Sequence, residues 1–288
     1  MNRRWICGDV WMDILPSFER VELGLKMALL SDRFDVLVDK HFDGNTTELT
    51  LWRTIKICVG IGLKAKLSVL IDDKFADFPL PDHPLPNKIR FKNLNIWYID
   101  HSVIAFFHAN KHIWDRMGIN LELFCANVQQ IWDVLAREIL PIFAPNIRHL
   151  YFSDGNHLGN LRRHTSPAIL TDLDQLYSIY SGGLCPDGIA DDGPNATASQ
   201  ALSKWLHTPS KNGQPKRLFC ADYGEEVNLD WINNFKEAFL RATSSVSYII
   251  RMKRLRTMPT EPFESVNERT KEKLTLEKVS RYDAVNCC

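Results

Sequence analysis

Residues 89–100 read IRFKNLNIWYID, and residues 102–114 read SVIAFFHANKHIW. The first reads as a strand and the second as a helix, and that order recurs downstream. NLELFCA (120–126) is a strand. QQIWDVLAREILPIF (129–143) is a helix with Trp132, Leu135, Ile139 and Ile142 on one side. NIRHLYFSD (146–154) is again a strand. Residues 154–196 are loop-rich, with one helical piece, AILTDLDQLYSIY (168–180). TASQALSKWL (197–206) opens on a capping box, Thr197 with Gln200. PKRLFCADYG (215–224) is a strand. LDWINNFKEAFLRA (229–242) is a helix with Trp231, Phe235, Ala238 and Ala242 facing inward. VSYIIRM (246–252) is a strand, and PFESVNERTKEKLTLEKV (262–279) a hairpin around Asn267–Lys271.

Strands that follow helices imply crossover connections and parallel pairing. A closed doubly wound sheet and an open, curved leucine-rich-type stack both satisfy that pattern. IRHLYFSD and PKRLFCAD share Arg, Leu, Phe and a closing Asp, yet Leu150 and Leu218 are too far apart for one regular period. The expected fold is therefore α/β, an irregular leucine-rich-repeat-like stack.

Outward from this region the texture changes. ELTLWRTIKICVG (48–60) and KLSVLI (66–71) read as strands. DFPLPDHPLPNK (77–88) holds four prolines and reads as an extended, rigid connector; its PxxP spacing (Pro81, Pro84) needs no further role. Near the N-terminus, DVWMDIL (9–15) is a short helix capped by Asp9 and stopped by Pro16. An apolar stretch runs from Leu23 to Leu30. Ser31 then caps a third helix, with Asp32 and Asp35 in its first turn and Phe34, Leu37, Val38 and Phe42 on one stripe. The expected organisation is residues 1–45, 46–88 and 89–288.

The chain has 288 residues, with 35 basic and 35 acidic side chains and a formal net charge of zero. No electrostatic pull toward nucleic acid or membrane is expected. RMKRLR (251–256) is the best local basic patch, and a solvated edge strand accounts for it. Asp9 and Asp13 interrupt any apolar leader, so no signal peptide is expected, and no run has a membrane helix's length. Seven scattered cysteines without a CxxC pair give no zinc site and fit a reducing cytosol or nucleus. Cys125 and Cys220 read as buried thiols. The sequons at Asn45 and Asn195 read as chance matches.

VGIGLKA (59–65) fits G-x-G-x-x-A, but a strand and not a helix follows, so no dinucleotide site is expected. His108 and His112 lie four apart, with His101 and Asp115 nearby; two such histidines can bind a metal, but an amphipathic surface is the favoured reading. The Asp pairs 72–73 and 191–192 read as turn chemistry. Cys185 has no activating His placed by the sequence. Cys287-Cys288 resembles a prenylated ending of GTPases whose P-loop is missing here. No catalytic residue, metal or cofactor is assigned.

Residues 6–38, ICGDVWMDILPSFERVELGLKMALLSDRFDVLV, resemble an F-box. Ile14-Leu15 match the end of its first helix and Leu23 its turn. Leu30-Ser31, Arg33 and Phe34 match its Val-Ser block. Ile6 stands for the leading Leu, and Cys7 replaces the Pro. FKNLNIWYIDHSVIAF, PIFAPNIRHLYFSDG, QPKRLFCADY, NNFKEAFLRAT and PFESVNERTKEKLTL resemble the C-terminal region of a large nematode F-box family. SRYDAVNCC departs from that family's ending.

The resemblance implies a small three-helix F-box over 1–45, a connector over 46–88 and a target-recruiting region over 89–288. It implies a non-catalytic substrate receptor of a cullin-type SCF ubiquitin ligase, cytoplasmic or nuclear, acting by proximity. The implied partners are a Skp-type linker subunit, through it a cullin, and a target protein, with no nucleic acid or membrane. The implied linker contacts are Ile6, Val10, Ile14, Leu15, Leu23, Leu30 and Phe34. Two alternatives stand beside it: a cytosolic α/β enzyme with a site near His101, His108 and His112, and a leucine-rich-like scaffold capped by the N-terminal helices.

Overall fold

The structure is a computed structural model that describes residues 6–18, 22–44, 50–60, 64–71, 74–86, 90–114, 118–124, 129–211, 213–221, 230–253 and 262–277. The chain is an α/β protein with nine strands in mixed, mostly parallel sheet. It divides into two compact units, Met1–Tyr151 and Phe152–Cys288.

Unit 1 opens with short helices. Helix α1 (Gly8–Ile14) starts one residue earlier than expected. Cys7, not Asp9, holds the cap position, with no side-chain capping bond; Asp9 falls in the first turn, where the helix dipole favours an acid. Pro16 ends the helix as expected, in a 3-10 turn over Leu15–Ser17. Segment α2 is a π turn (Leu23–Met27) tightened by a 3-10 turn (Ala28–Leu30). Ser31 is extended (φ −175°, ψ 162°), and its carbonyl accepts the Asp35 N–H at 3.0 Å, which launches α3 (Asp32–Gly44).

β1 (Thr50–Val59) and β2 (Ala65–Ile71) pair antiparallel. A third strand, β3 (Lys74–Pro79), was not expected, because the prolines after it obscured a strand signal; it pairs with β2 and ends on Pro79. β4 (Arg90–Ile96) joins β1 in parallel, and β5 (Ile119–Leu123) joins β4 in parallel.

The helix expected over 102–114 is two, α4 (His101–Ala109) and α5 (Lys111–Trp114). Fully buried Asn110 makes the break: its amide donates to Phe106 O at 2.8 Å and its carbonyl oxygen accepts the Leu85 N–H at 2.6 Å. α6 (Gln129–Val134) runs through a π turn (Leu135–Ile139) into α7 (Leu140–Phe143). Pro141 withholds a donor from that ladder, which accounts for the widened turn. The expected face of Trp132, Leu135, Ile139 and Ile142 is buried. β6 (Ile147–Phe152) follows.

Unit 2 corrects the reading of 154–196. Helix α8 (Gly155–His164) was not foreseen; Asp154 caps it by accepting the Asn156 N–H. The helical piece expected over 168–180 is only α9 (Ile169–Asp172), and its second half is strand β7 (Ser178–Gly182). Ile179 and the flanking tyrosines favour the pleated state once a neighbouring strand is present. Helix α10 (Ala198–Leu206) has both hydrogen bonds of the Thr197–Gln200 box. β8 (Lys216–Ala221), α11 (Asp230–Arg241) and β9 (Tyr248–Lys253) follow, and β7, β8 and β9 pair in parallel in that order. On α11 the buried face is Ile232, Phe235 and Phe239, not the predicted Trp231, Ala238 and Ala242 around Phe235. The hairpin β10 (Phe263–Val266) and β11 (Lys273–Leu276) forms as expected.

β4 to β9 begin at residues 90, 119, 147, 178, 216 and 248, at uneven intervals of 28 to 38 residues. β7 lies between Leu150 and Leu218, in a stretch whose sequence pattern is helical.

Candidate partner-binding sites

The N-terminal helices enclose a core of Leu15, Leu23, Ala28, Leu37, Val38 and Phe42, with Trp11, Met12, Met27 and Phe34 packed against it. Trp11 and Phe34 meet edge to face, centroids 4.8 Å apart. Leu15 and Leu23 are completely buried, while Ile14 and Phe34 are half-buried. The remaining three F-box-type positions are apolar and open: Ile6 is 47% exposed, Val10 48% and Leu30 64%. Val36 adds a further exposed apolar side chain. The Arg33 guanidinium donates to the Ile6 carbonyl, which holds Ile6 at the same end of α3 as Leu30.

The sheet of unit 1 buries one face and leaves the other polar. Ile55, Ile57, Leu94, Ile96, Leu121 and Leu123 are on the buried face. The alternate positions form rows that cross strands, invisible in sequence until the register is known. Asp77, Ser68, Lys56, Asn95 and Glu122 stand side by side on β3, β2, β1, β4 and β5. A second row is a ladder: Asn120 donates to Asn93 at 2.6 Å, and Asn93 donates to Thr54 at 3.2 Å. Lys56 Nζ lies 3.4 Å from the centroid of Trp97, and Trp97 lies 4.2 Å from Phe124. Burial pushes the Glu122 carboxyl up to about 7, against a smaller downward pull from Lys56. The Asp77 carboxyl is lowered by its hydrogen bonds from Lys66 and Ser68.

In unit 2 the polar groups largely serve the fold. Buried Arg162 donates to the carbonyls of Pro167, Ala196 and Gly193 at 2.8, 2.6 and 3.1 Å, and so pins the long loop before α10. Buried Lys216 donates to Trp205 O and Thr208 O, satisfying the end of α10; burial pushes its ammonium down to about 8. A cavity of about 520 Å³ beyond β6 and β7 is lined by Asp154, Asn156, Asn160, Arg163, Gly182 and Gly183. Asp154 there is engaged in capping α8, and Arg163 donates to Asn160 at 3.1 Å. Gly182 is required where it stands, since an added Cβ would lie 2.3 Å from Ser153 O.

The histidines do not share a site. The break at Asn110 separates His108 on α4 from His112 next to α5 residue Lys111. His108 Nε2 lies 3.7 Å from Glu138, and His112 Nε2 lies 3.2 Å from Leu85 O, while His101 is exposed. Among the described residues no three His, Cys, Asp or Glu side chains are grouped to hold a metal; Asp115 lies outside those residues. At the G-x-G-x-x-A stretch, Ala65 begins strand β2, as expected. Asp191 accepts the Gly193 N–H at 2.9 Å, the turn role expected of that pair; residues 72–73 lie outside the described residues. Cys220 is buried as expected, and Cys125, Cys287 and Cys288 lie outside the described residues. No described helix is long and apolar enough to cross a membrane.

No family model, no curated protein and no solved structure matches the chain.

Proposed function

We propose that the chain is a substrate-receptor subunit of a cullin-type SCF ubiquitin ligase, with residues 1–45 as an F-box and residues 89–288 as the target-recruiting region. The observation that carries this is the exposure of Ile6, Val10 and Leu30 on a helical unit whose own core is already filled. A small unit that leaves such side chains in water gains by burying them in a partner's groove. The F-box resemblance of residues 6–38 names that partner as a Skp-type linker subunit, leading to a cullin. Of the seven implied contacts, Ile6, Val10 and Leu30 can dock without disturbing the core. Leu15 and Leu23 act by shaping the unit, and Ile14 and Phe34 stand between.

The rest of the molecule reads as a leucine-rich-like stack. Strand starts 28 to 38 residues apart, parallel pairing in chain order and one polar sheet face support that reading. The ligase chemistry belongs to other subunits, so the chain's part is positioning, in cytoplasm or nucleus.

Co-purification with the linker subunit tests this. Wild type is expected to bind, and Val10→Asp and Leu30→Asp are expected to lose binding while keeping the wild-type melting temperature. No binding by wild type overturns the proposal.

A further inference from the structure

The open face of β7, β8 and β9 carries two adjoining rows. In one, Ser178 stands beside Arg217 and Arg217 beside Ile249; in the next, Tyr180 stands beside Phe219 and Phe219 beside Arg251. The intervening Ile179, Ser181, Leu218 and Cys220 are at most 1% exposed, so these rows point the other way. Arg217, Ile249 and Arg251 are exposed, and Tyr180 and Phe219 are half-buried and stacked, centroids 4.9 Å apart at 14°. Neither arginine has an ion-pair partner among the described residues. No acid stands in either row. The face is thus an aromatic and aliphatic centre flanked by two guanidinium groups that no acid among the described residues neutralises.

The spacing selects among anions. Arg217 and Arg251 are one strand and two residues apart, which is roughly 8 Å for ordinary sheet dimensions. Alternate side chains of an extended peptide project on one side roughly 7 Å apart. Two carboxylates at i and i+2 therefore match the two guanidinium groups, each able to take a carboxylate in a forked pair. A nucleic acid fits less well: the chain's formal net charge is zero, and only two arginines stand in these rows to meet a run of phosphates.

We propose that this face binds an extended, acidic segment of a partner polypeptide, with Arg217 and Arg251 holding its carboxylates and Tyr180, Phe219 and Ile249 its apolar side chain. Only the use of this face for target recruitment rests on the ligase reading; the binding itself does not.

The test is fluorescence anisotropy of the full chain with a short labelled peptide bearing glutamates at alternate positions and one leucine, against its glutamine counterpart. The glutamate peptide is expected to bind at least about tenfold more tightly, and less tightly as salt is raised. Arg217→Glu and Arg251→Glu are each expected to weaken it about tenfold, with Arg217→Gln and Arg251→Gln weakening it less. Lys66→Glu in unit 1 is expected to leave it unchanged, as is Leu30→Asp, which separates this result from linker binding. Equal binding of both peptides, undiminished binding by the arginine variants, or stronger competition by an oligouridine than by the acidic peptide would overturn the proposal.

Discussion

Glu122 illustrates what a register position does to a single side chain. On β5 it stands in the polar row beside Asn95 and Lys56, yet burial lifts its carboxyl to about 7. A carboxyl whose folded value exceeds its unfolded one favours the protonated fold. Its contribution to stability is intact below the unfolded value of 4.5, declines as pH rises toward 7, and stays low above it. Glu122→Gln is therefore expected to gain on wild type between those pH values, by on the order of 1 kcal/mol after solvent screening. Urea midpoints measured across that range check it, and a constant difference would contradict it. Asn267 is the opposite case, a buried polar group with every bond made. Its amide donates to Phe239 O and Ala242 O at 2.7 and 2.9 Å, and its carbonyl oxygen accepts the N–H groups of Arg269 and Thr270. It ties the β10–β11 hairpin to the end of α11. Asn267→Ala strands all four backbone groups and is expected to cost about 3 kcal/mol, read by denaturant unfolding. The asparagine at the head of the hairpin was legible in the sequence as a turn residue; its grip on α11, through chain positions 25 and 28 residues away, was not.

At the scale of elements, the N-terminal helices separate two roles that apolar residues share in the sequence. Leu15 and Leu30 both occupy F-box-type positions, but one is 0% and the other 64% exposed. Leu15→Ala is expected to cost about 2–5 kcal/mol, while Leu30→Ala is expected to change stability by less than about 0.5 kcal/mol; thermal melts distinguish the two. Periodicity located these helices correctly, because each carries its own apolar stripe. It failed where the local signal and the tertiary one conflict. LYSIY in isolation continues a helical pattern, and only the parallel neighbour β8 draws it into β7. Asn110 and Pro141 lie inside stretches periodic enough to read as single helices; Asn110 breaks its stretch by diverted hydrogen bonds, while Pro141 withholds a donor and its stretch stays continuous through a π turn. The four-residue spacing of His108 and His112 assumes one continuous helix, and the break at Asn110 removes it.

The whole molecule follows from short units laid in chain order. Alternation of strand and helix was enough to give the α/β class and the parallel pairing. The intervals of 28 to 38 residues between strand starts are hidden in the sequence by the helical pattern over β7. The candidate surfaces were less legible still, since Lys56, Asn95 and Glu122 are far apart in the chain and meet only through register. Strands paired side by side in this order hydrogen-bond only to their neighbours. Asn110→Ala, which removes the bonds to Phe106 and Leu85, is expected to speed hydrogen exchange in β4 and β5 and leave β7 and β8 at wild-type rates, as measured by mass spectrometry.

The ends of this strand order have a consequence for solubility. Among the described residues the strand order ends on β3 and β9; a sheet edge with unpaired amides and carbonyls can recruit another copy, and repeated recruitment is how fibres grow. At one end β3 is six residues long, begins at exposed Lys74 and stops at Pro79, which has no N–H to offer. At the other, β9 carries exposed Arg251. Exposed charged side chains at both ends and a missing donor at one disfavour end-to-end polymerisation. The proline that obscured β3 in the sequence thus helps keep the folded chain from seeding an aggregate.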